Sequence, residues 1–306
     1  MFMAVAEMRQ VTAAATALGI TQSAASQHLK NLETAFNVSL FDRSTRPISL
    51  TFAGETFQRH GFRMLNLVED LRRDIHHLAA SSLPVLRVAM LASIATTLTP
   101  GLYDLVEHRF RVPELILSAG LASDHQVALN DRRIDIAVTS ELIQLTTDYE
   151  VIPILDEPFF LVLPVDYDGP VDDVHALSER LSLVRFGAST PVGRRTDQQL
   201  QRCRLNLPRA IEADRSSMVM AGVITGKCFA ILTPSLLIDG VAEGMALRLA
   251  PLPFAEFRRT IKLVCRRDDL GEMPMQIARE CRDILQRAFR HRFPDQVDQV
   301  LFHEIG

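Results

Sequence analysis

Residues Val11 to Leu50 read VTAAATALGITQSAASQHLKNLETAFNVSLFDRSTRPISL. This stretch predicts two short helices, Val11 to Leu18 and Gln22 to Phe36, separated by Gly19-Ile20-Thr21. Glycine adopts the left-handed backbone that ends a helix, so Gly19 stops the first one. Thr21 is a good N-cap for the second, because its hydroxyl can accept from a free amide of the following turn. Within that second helix Ala25, Leu29, Leu32 and Phe36 recur at steps of three and four and form the buried stripe. Gln22, Ser23, Ser26, Gln27 and Lys30 are left on the other side. Small amides and hydroxyls on such a face can read base edges in a major groove and contact phosphates. Taken alone, a face of this kind is more often plain solvated surface.

The residues that follow shift that balance. Val38 to Phe41 and Ile48 to Leu50 read as two short strands joined by Asp42-Arg43-Ser44-Thr45-Arg46-Pro47. The result is a wing whose polar tip carries two arginines. Arg46 can enter a minor groove, where the negative potential attracts a guanidinium. Helix, turn, helix and wing in this order form a DNA-binding arrangement.

The run Phe2 to Glu55 resembles the winged helix-turn-helix of LysR-type transcriptional regulators, since AAATAL, TQSAASQHLKNLE, SLFDRS and LTFAGE stand in that family's order and spacing. The resemblance continues over nearly the whole chain, with a linker helix and an effector domain downstream. It implies a ligand-responsive regulator with base or phosphate contacts at Gln22, Ser23, Ser26 and Gln27, with Arg46 on the wing and Arg43 supporting it. Lys30 joins this set from helix geometry. Family members usually have several more residues before the position of Phe2, which implies a first helix shortened at its N-terminal end.

Residues 55 to 82 contain no proline and read as one dimerisation helix. Phe57, Gly61, Met64, Val68, Leu71, Ile75 and Leu78 follow the alternating four- and three-step of a heptad seam, which implies a partner helix. The competing reading packs this stripe on the chain's own core. A helix of about 28 residues reaches roughly 42 Å, long enough to lie beside its twin. The resemblance implies antiparallel pairing in a homodimer or homotetramer.

From Pro84 onward β-rich runs, Leu86 to Leu91, Leu115 to Ser118, Ile134 to Thr139 and Phe159 to Leu163, alternate with helical stretches, as in βαβ units around a parallel sheet. Ligands of such sheets lie beyond the carboxyl ends of the strands. A second unit starts near Val165, where LSLVRFGAST leads to Ser189 and Thr190, and PRAIEAD, the helix Ser216 to Thr225 and CFAILTP complete it. RTIKLVCRR then returns to the first unit, followed by a helix from Pro274 to about Arg290.

The expected fold is therefore α/β: a winged helix-turn-helix over 1–54, a linker helix over 55–82, and an effector-binding domain over 83–306. By resemblance that last domain is built like a periplasmic binding protein, with lobe 1 at about 85–164 and 258–306 and lobe 2 at about 165–257. The resemblance implies small organic acids or related metabolites as effectors. Strand ends and helix N-termini lined by Ser and Thr suit an anion. The candidates are Ser93, Ile94, Thr139, Thr190 and Thr233, each with a helix cap or core hydroxyl as its plainer role. Many relatives carry a hydroxyl where this chain has Ala122, which points to a different effector. Ser123, with Gln126 three residues on, has the spacing of a capping box.

Composition sets the remaining bounds. The 306 residues are 47% hydrophobic and 23% charged, the balance of a globular protein of two or three domains. The net charge of -4 hides a division: residues 1–82 carry eight Lys and Arg against seven Asp and Glu, so the acidity lies downstream. Charge alone thus gives no sign of DNA binding. No apolar run of membrane-spanning length occurs, and MFMAVAEMRQ lacks the features of a secretory signal, so the expected place is the cytoplasm, away from any membrane. Cys203, Cys228, Cys265 and Cys281 form no CxxC pair and read as reduced thiols.

Gly222 to Lys227 is one residue short of a phosphate-binding loop, and Cys228 replaces the Ser or Thr that loop requires. Asp172, Asp173 and His175 read as an acidic loop without a fourth metal ligand. No elbow, metal pair or cysteine–histidine signature of an enzyme is found, so neither catalysis, metal nor cofactor is expected. The partners expected are double-stranded DNA, a small effector and further copies of the chain. The rival class, a cytoplasmic solute receptor without DNA function, has no use for a capped helix and an arginine wing at 21–47.

Overall fold

A computed structural model describes residues 1–45, 47–79, 83–140, 147–241 and 246–305, with the side chains of 66, 67 and 69–79 outside the description. The chain forms two compact units, Met1–Ser81 and Ser82–Gly306.

In the first unit, helices α1 (Phe2–Met8), α2 (Val11–Ala17) and α3 (Gln22–Phe36) are followed by strands β1 (Phe41–Asp42) and β2 (Ser49–Leu50) and by helix α4 (Phe52–Ala79). Gly19 takes φ +68°, and the Thr21 hydroxyl accepts from the Ala24 amide at 3.2 Å, so the turn forms as its residues require. Phe2, Val5, Ala14, Leu29, Leu40 and Phe41 form the core. The hairpin is shorter than expected and pairs only Phe41 with Leu50 and Asp42 with Ser49. Phe36 does not end the buried stripe: it is 59% exposed and touches Phe57 edge-on at 5.4 Å. Gly54 sits where a Cβ would lie 2.0 Å from the Leu40 carbonyl oxygen, so only glycine lets α4 approach the wing this closely.

Helix α4 begins at Phe52, three residues before the expected linker, because the Thr51 hydroxyl caps it by accepting from the Gly54 amide at 3.0 Å. The start of the predicted seam has neighbours within the unit itself. Phe57 packs edge-on against Phe2 at 4.7 Å, and a Cβ on Gly61 would lie 3.2 Å from the Met3 sulfur. Both positions face the unit's own α1. Beyond them Phe62, Met64, Leu65 and Val68 are exposed. The side chains of Leu71, Ile75 and Leu78 lie outside the described residues.

The second unit contains two sheets. Its elements run β3 (Val85–Leu91), α5 (Ala92–Leu105), a π-helical turn at Val106–Phe110, β4 (Glu114–Gly120), α6 (Ala122–Asn130), β5 (Ile136–Thr139), β6 (Tyr149–Pro158) and β7 (Phe160–Leu163). They continue with α7 (Val174–Arg180), β8 (Ser182–Phe186), α8 (Pro191–Arg202), β9 (Arg209–Ala213), α9 (Ser216–Ile224), β10 (Cys228–Leu232) and α10 (Pro234–Gly240). The last are β11 (Arg248–Ala250), β12 (Arg258–Arg266), α11 (Met273–Arg292) and β13 (Leu301–Phe302).

Lobe 1 is built on the order β13-β6-β12-β5-β3-β4 and lobe 2 on β11-β7-β10-β8-β9. Only part of each sheet is parallel, β4-β3-β5 in the first and β10-β8-β9 in the second. The other pairings are antiparallel, so the parallel βαβ order expected from the sequence holds for those three strands of each sheet. The lobe boundary moves as well: β7 pairs with β10 and β11, so lobe 2 begins near Phe159 rather than at 165. Strand β6 has no counterpart in the sequence reading, since Pro153, Pro158 and three acidic residues hide its alternation. It runs antiparallel to β12 from Tyr149 to Pro158. The chain crosses between lobes twice, after β6 and before β12. Phe159 and Phe257 stack there at 4.0 Å, and the Phe159 amide donates to the Phe257 carbonyl at 3.2 Å.

Candidate functional site

The first candidate surface lies on the winged unit. Gln22, Ser23, Ser26, Gln27 and Lys30 are all exposed on α3, while Ala25 and Leu29 hold the opposite side in the core. Two of the five are pre-positioned. Gln27 Nε2 donates to Asn31 Oδ1 at 2.7 Å, and the Ser23 and Thr21 hydroxyls lie 3.0 Å apart. The wing is attached to the same helix by a residue that sequence reasoning did not single out. Glu33 Oε1 accepts from the Leu40 amide at 2.9 Å and the Phe41 amide at 3.3 Å, while Oε2 pairs with Arg43 at 2.9 Å. Arg43 therefore ties the wing to α3. Asp42 accepts from the Ser44 hydroxyl at 2.6 Å and the Ser44 amide at 2.9 Å, and these bonds hold its carboxyl below the ordinary range. Arg46 lies outside the described residues.

The second surface is a cleft between the two lobes of the second unit. Four helices present their first residues to it, α5 through Ala92 and Ser93, α6 through Ala122, α8 through Pro191 and Val192, and α9 through Ser216. First-turn amides have no partner within their own helix, and the helix dipoles add positive potential there. Ser93 lines the cleft with its hydroxyl unpartnered among the described residues.

Thr190 also lines the cleft, but its hydroxyl is occupied, donating to the Gly187 carbonyl at 2.8 Å and accepting from the Gly193 amide at 3.0 Å. It is a helix cap. The remaining three expectations are corrected. Ile94 points into the lobe 1 core, because it follows the lining residue Ser93 on the helix. Thr139 has no exposure, since side chains alternate along β5 and the next residue, Ser140, is the one that lines the cleft. Thr233 is fully buried and donates to Glu157 Oε1 at 2.9 Å.

Sequence reasoning also missed Phe186, Asp214, Arg215, Asp239 and Arg259, which come from distant segments. No short-range spacing joins them. The capping box on α6 is corrected as well: Ser123 is inside the helix, and Asp124 Oδ2 accepts from the Leu121 amide at 3.4 Å. Asp173 caps α7 by accepting from the His175 amide at 2.8 Å and the Ala176 amide at 3.2 Å. Residues 222–228 form the end of α9 and the start of β10, as their spacing suggests. Among the described residues no helix is long and apolar enough to cross a membrane.

A capped recognition-type helix with a wing, followed by a two-lobed ligand cleft, defines a DNA-binding protein class with a sensory domain. The family described as "Bacterial regulatory helix-turn-helix protein, lysR family" matches residues 1–55, and "LysR substrate binding domain" matches residues 80–290. The chain belongs to the LysR family. A "Probable RuBisCO transcriptional regulator" of Cyanidioschyzon merolae is 34% identical over 164 residues, 50% of this chain and 52% of the relative. This chain therefore spans about half the length of that curated relative. The "HTH-type transcriptional regulator YofA" of Bacillus subtilis is 26% identical over 269 residues, covering 87% of this chain and 90% of the relative. Among solved structures, the OxyR C206 mutant of Corynebacterium glutamicum is 26% identical at a TM-score of 0.56, covering 94% of this chain and 91% of that one.

Proposed function

We propose that the chain is a ligand-responsive, DNA-binding transcriptional regulator and not an enzyme. The observation that carries this reading is the α3 face. Five polar side chains stand clear of the core on a capped helix, beside a wing fixed to that helix through Glu33. Gln22, Ser23, Ser26, Gln27 and Lys30 contact bases and phosphates, with Arg43 and Arg46 serving the wing. The cleft takes a small metabolite, with Ser93 as its contact at the end of β3. Exposed Met64, Leu65 and Val68 on α4 are the faces by which copies pair, as a homodimer or homotetramer. A protein that binds chromosomal DNA works in the cytoplasm.

Gel shifts on operator fragments selected from the source genome test the DNA half. Gln27→Ala should weaken specific binding by about 1 to 3 kcal/mol if the amide reads a base edge. Undiminished affinity in both Gln27→Ala and Ser26→Ala would remove α3 as the reading element. A metabolite screen by melting temperature tests the other half, since a ligand at 100 times its dissociation constant stabilises by about 2.7 kcal/mol. Ser93→Leu should abolish that stabilisation.

A further inference from the structure

We propose that Arg259 anchors an oxyanion group of the cleft's ligand, and that Glu157 positions it for this role. The inference rests on reading the cleft as a ligand site. Glu157 on β6 and Arg259 on β12 are direct cross-strand partners on the two segments that pass between the lobes. Both are buried, as are Thr233 and Ser235, which complete the cluster from lobe 2. Glu157 Oε1 accepts from Arg259 Nε at 2.8 Å, from the Thr233 hydroxyl at 2.9 Å and from the Ser235 hydroxyl at 2.8 Å. Its Oε2 accepts from the Ser235 amide at 2.9 Å. Arg259 Nη2 donates to Glu157 and Ser235 as well. The carboxylate is thus saturated with donors, and the guanidinium is fixed in one plane.

The guanidinium itself is not saturated. An arginine carries five N–H donors, and among the described residues Arg259 Nη1 has no partner. Arg259 is also the buried one of the four charged residues that line the cleft, while Asp214, Arg215 and Asp239 are exposed. Water screens those three. Nη1 is not among the fully buried side-chain atoms that lack a partner, so on this otherwise buried, cleft-lining residue it keeps some exposure to the cleft. An acidic group there can accept charge-assisted hydrogen bonds from Nη1, strengthened by the low local dielectric. Because Glu157 occupies the Nε and Nη2 edge, the ligand meets Nη1 alone. Arg259 belongs to the crossover strands, so a ligand held by Arg259 and Ser93 is tied to the hinge and to lobe 1 together.

Thermal unfolding of the full chain with succinate, inorganic phosphate or the neutral diamide of succinic acid tests this. One or both anions should raise the wild-type melting temperature and the diamide should not. A response to succinate alone marks a carboxylate ligand, and one to phosphate alone a phosphorylated one. Arg259→Gln should weaken the effective anion by roughly ten- to hundredfold, and Arg259→Lys by less, since a cation remains. Glu157→Gln should also weaken it, by freeing the guanidinium from its plane. Because Arg259→Gln leaves a buried carboxylate unpaired, the pair Glu157→Gln with Arg259→Gln supplies a neutral, hydrogen-bonded replacement that keeps the cluster folded. Undiminished anion affinity in that double variant overturns the proposal. So does a wild type that neither anion stabilises, or one that the diamide stabilises equally. Wild-type gel shifts decide the regulator reading separately, so a failed anchor with intact operator binding leaves that reading standing.

Discussion

The two units carry their candidate sites in opposite ways. In Met1–Ser81 the five proposed helix contacts are exposed, close in sequence and mounted on α3, while burial is left to the residues between them. In Ser82–Gly306 the site is a recess whose lining comes from segments more than 100 residues apart, with polar groups set into the core. A site on one helix can change side chain by side chain without cost to the fold. A recessed site cannot, because its polar atoms are also part of the packing. Substitutions should therefore separate binding from stability in the first unit and mix them in the second.

The largest expected effect is a loss of stability in the second unit as the pH falls from about 6.5 to about 4. His125, on α6 beneath Gly120, is 3% exposed, and burial pushes its pKa from the ordinary 6.5 down to about 4, against a smaller opposing effect from Asp124. The folded state keeps the ring neutral while the unfolded chain takes up a proton below about pH 6.5. Stability should therefore fall as pH drops from about 6.5 to about 4, by roughly 3 kcal/mol, and level off below. His125→Leu should flatten that slope. Denaturant melts at several pH values, read with a probe in each unit, decide it. An unchanged slope in His125→Leu would place the acid sensitivity elsewhere.

A smaller effect sharpens the first half of the comparison. Glu33 is the exception within the winged unit, a residue that is not on the reading face yet positions it. Glu33→Ala removes the acceptor for the Leu40 and Phe41 amides and the partner of Arg43. We expect about 2 kcal/mol of lost stability in that unit, together with weaker operator binding because the wing is released. Ligand-induced stabilisation of the second unit should be unaffected. If Glu33→Ala melts like the wild type, the wing is held by the hairpin and core alone.

This difference also explains what the sequence reveals. The bounds of helix α3, Gln22–Phe36, were legible to the residue from its Thr21 cap and its periodic polar face, although its buried stripe stops short of Phe36. Strands β3, β4 and β5 were legible as apolar runs. The lining of the cleft was not, because a strand end says where a ligand can lie but not which neighbouring side chain turns inward. Ser93 lines the cleft and Ile94 does not, Ser140 does and Thr139 does not, and one residue of register decides each case. Glu157 and Arg259 are further still from legibility, since their pairing depends on β6, a strand hidden by its prolines.

The smallest effect on folding, and the sharpest test of the heptad stripe, lies within α4. Phe57 and Val68 occupy the same predicted seam but different surroundings. Phe57 packs on Phe2 inside the winged unit, whereas Val68 is 48% exposed. Phe57→Ala should cost the unit about 1 to 2 kcal/mol, less than the 3 to 5 of a fully buried ring because Phe57 is only half-buried. Val68→Asp should stay within about 0.5 kcal/mol for the isolated chain, as surface changes do. Its consequence belongs to assembly instead. If Met64, Leu65 and Val68 are covered by a second copy, the new carboxylate becomes a buried, unpaired charge and association is lost. Light scattering over a concentration series should then report a monomer for Val68→Asp and an unchanged assembly for Phe57→Ala. The reverse pattern would mean that the seam begins where the sequence first placed it. A Val68→Asp assembly of wild-type strength would mean that copies meet through another surface.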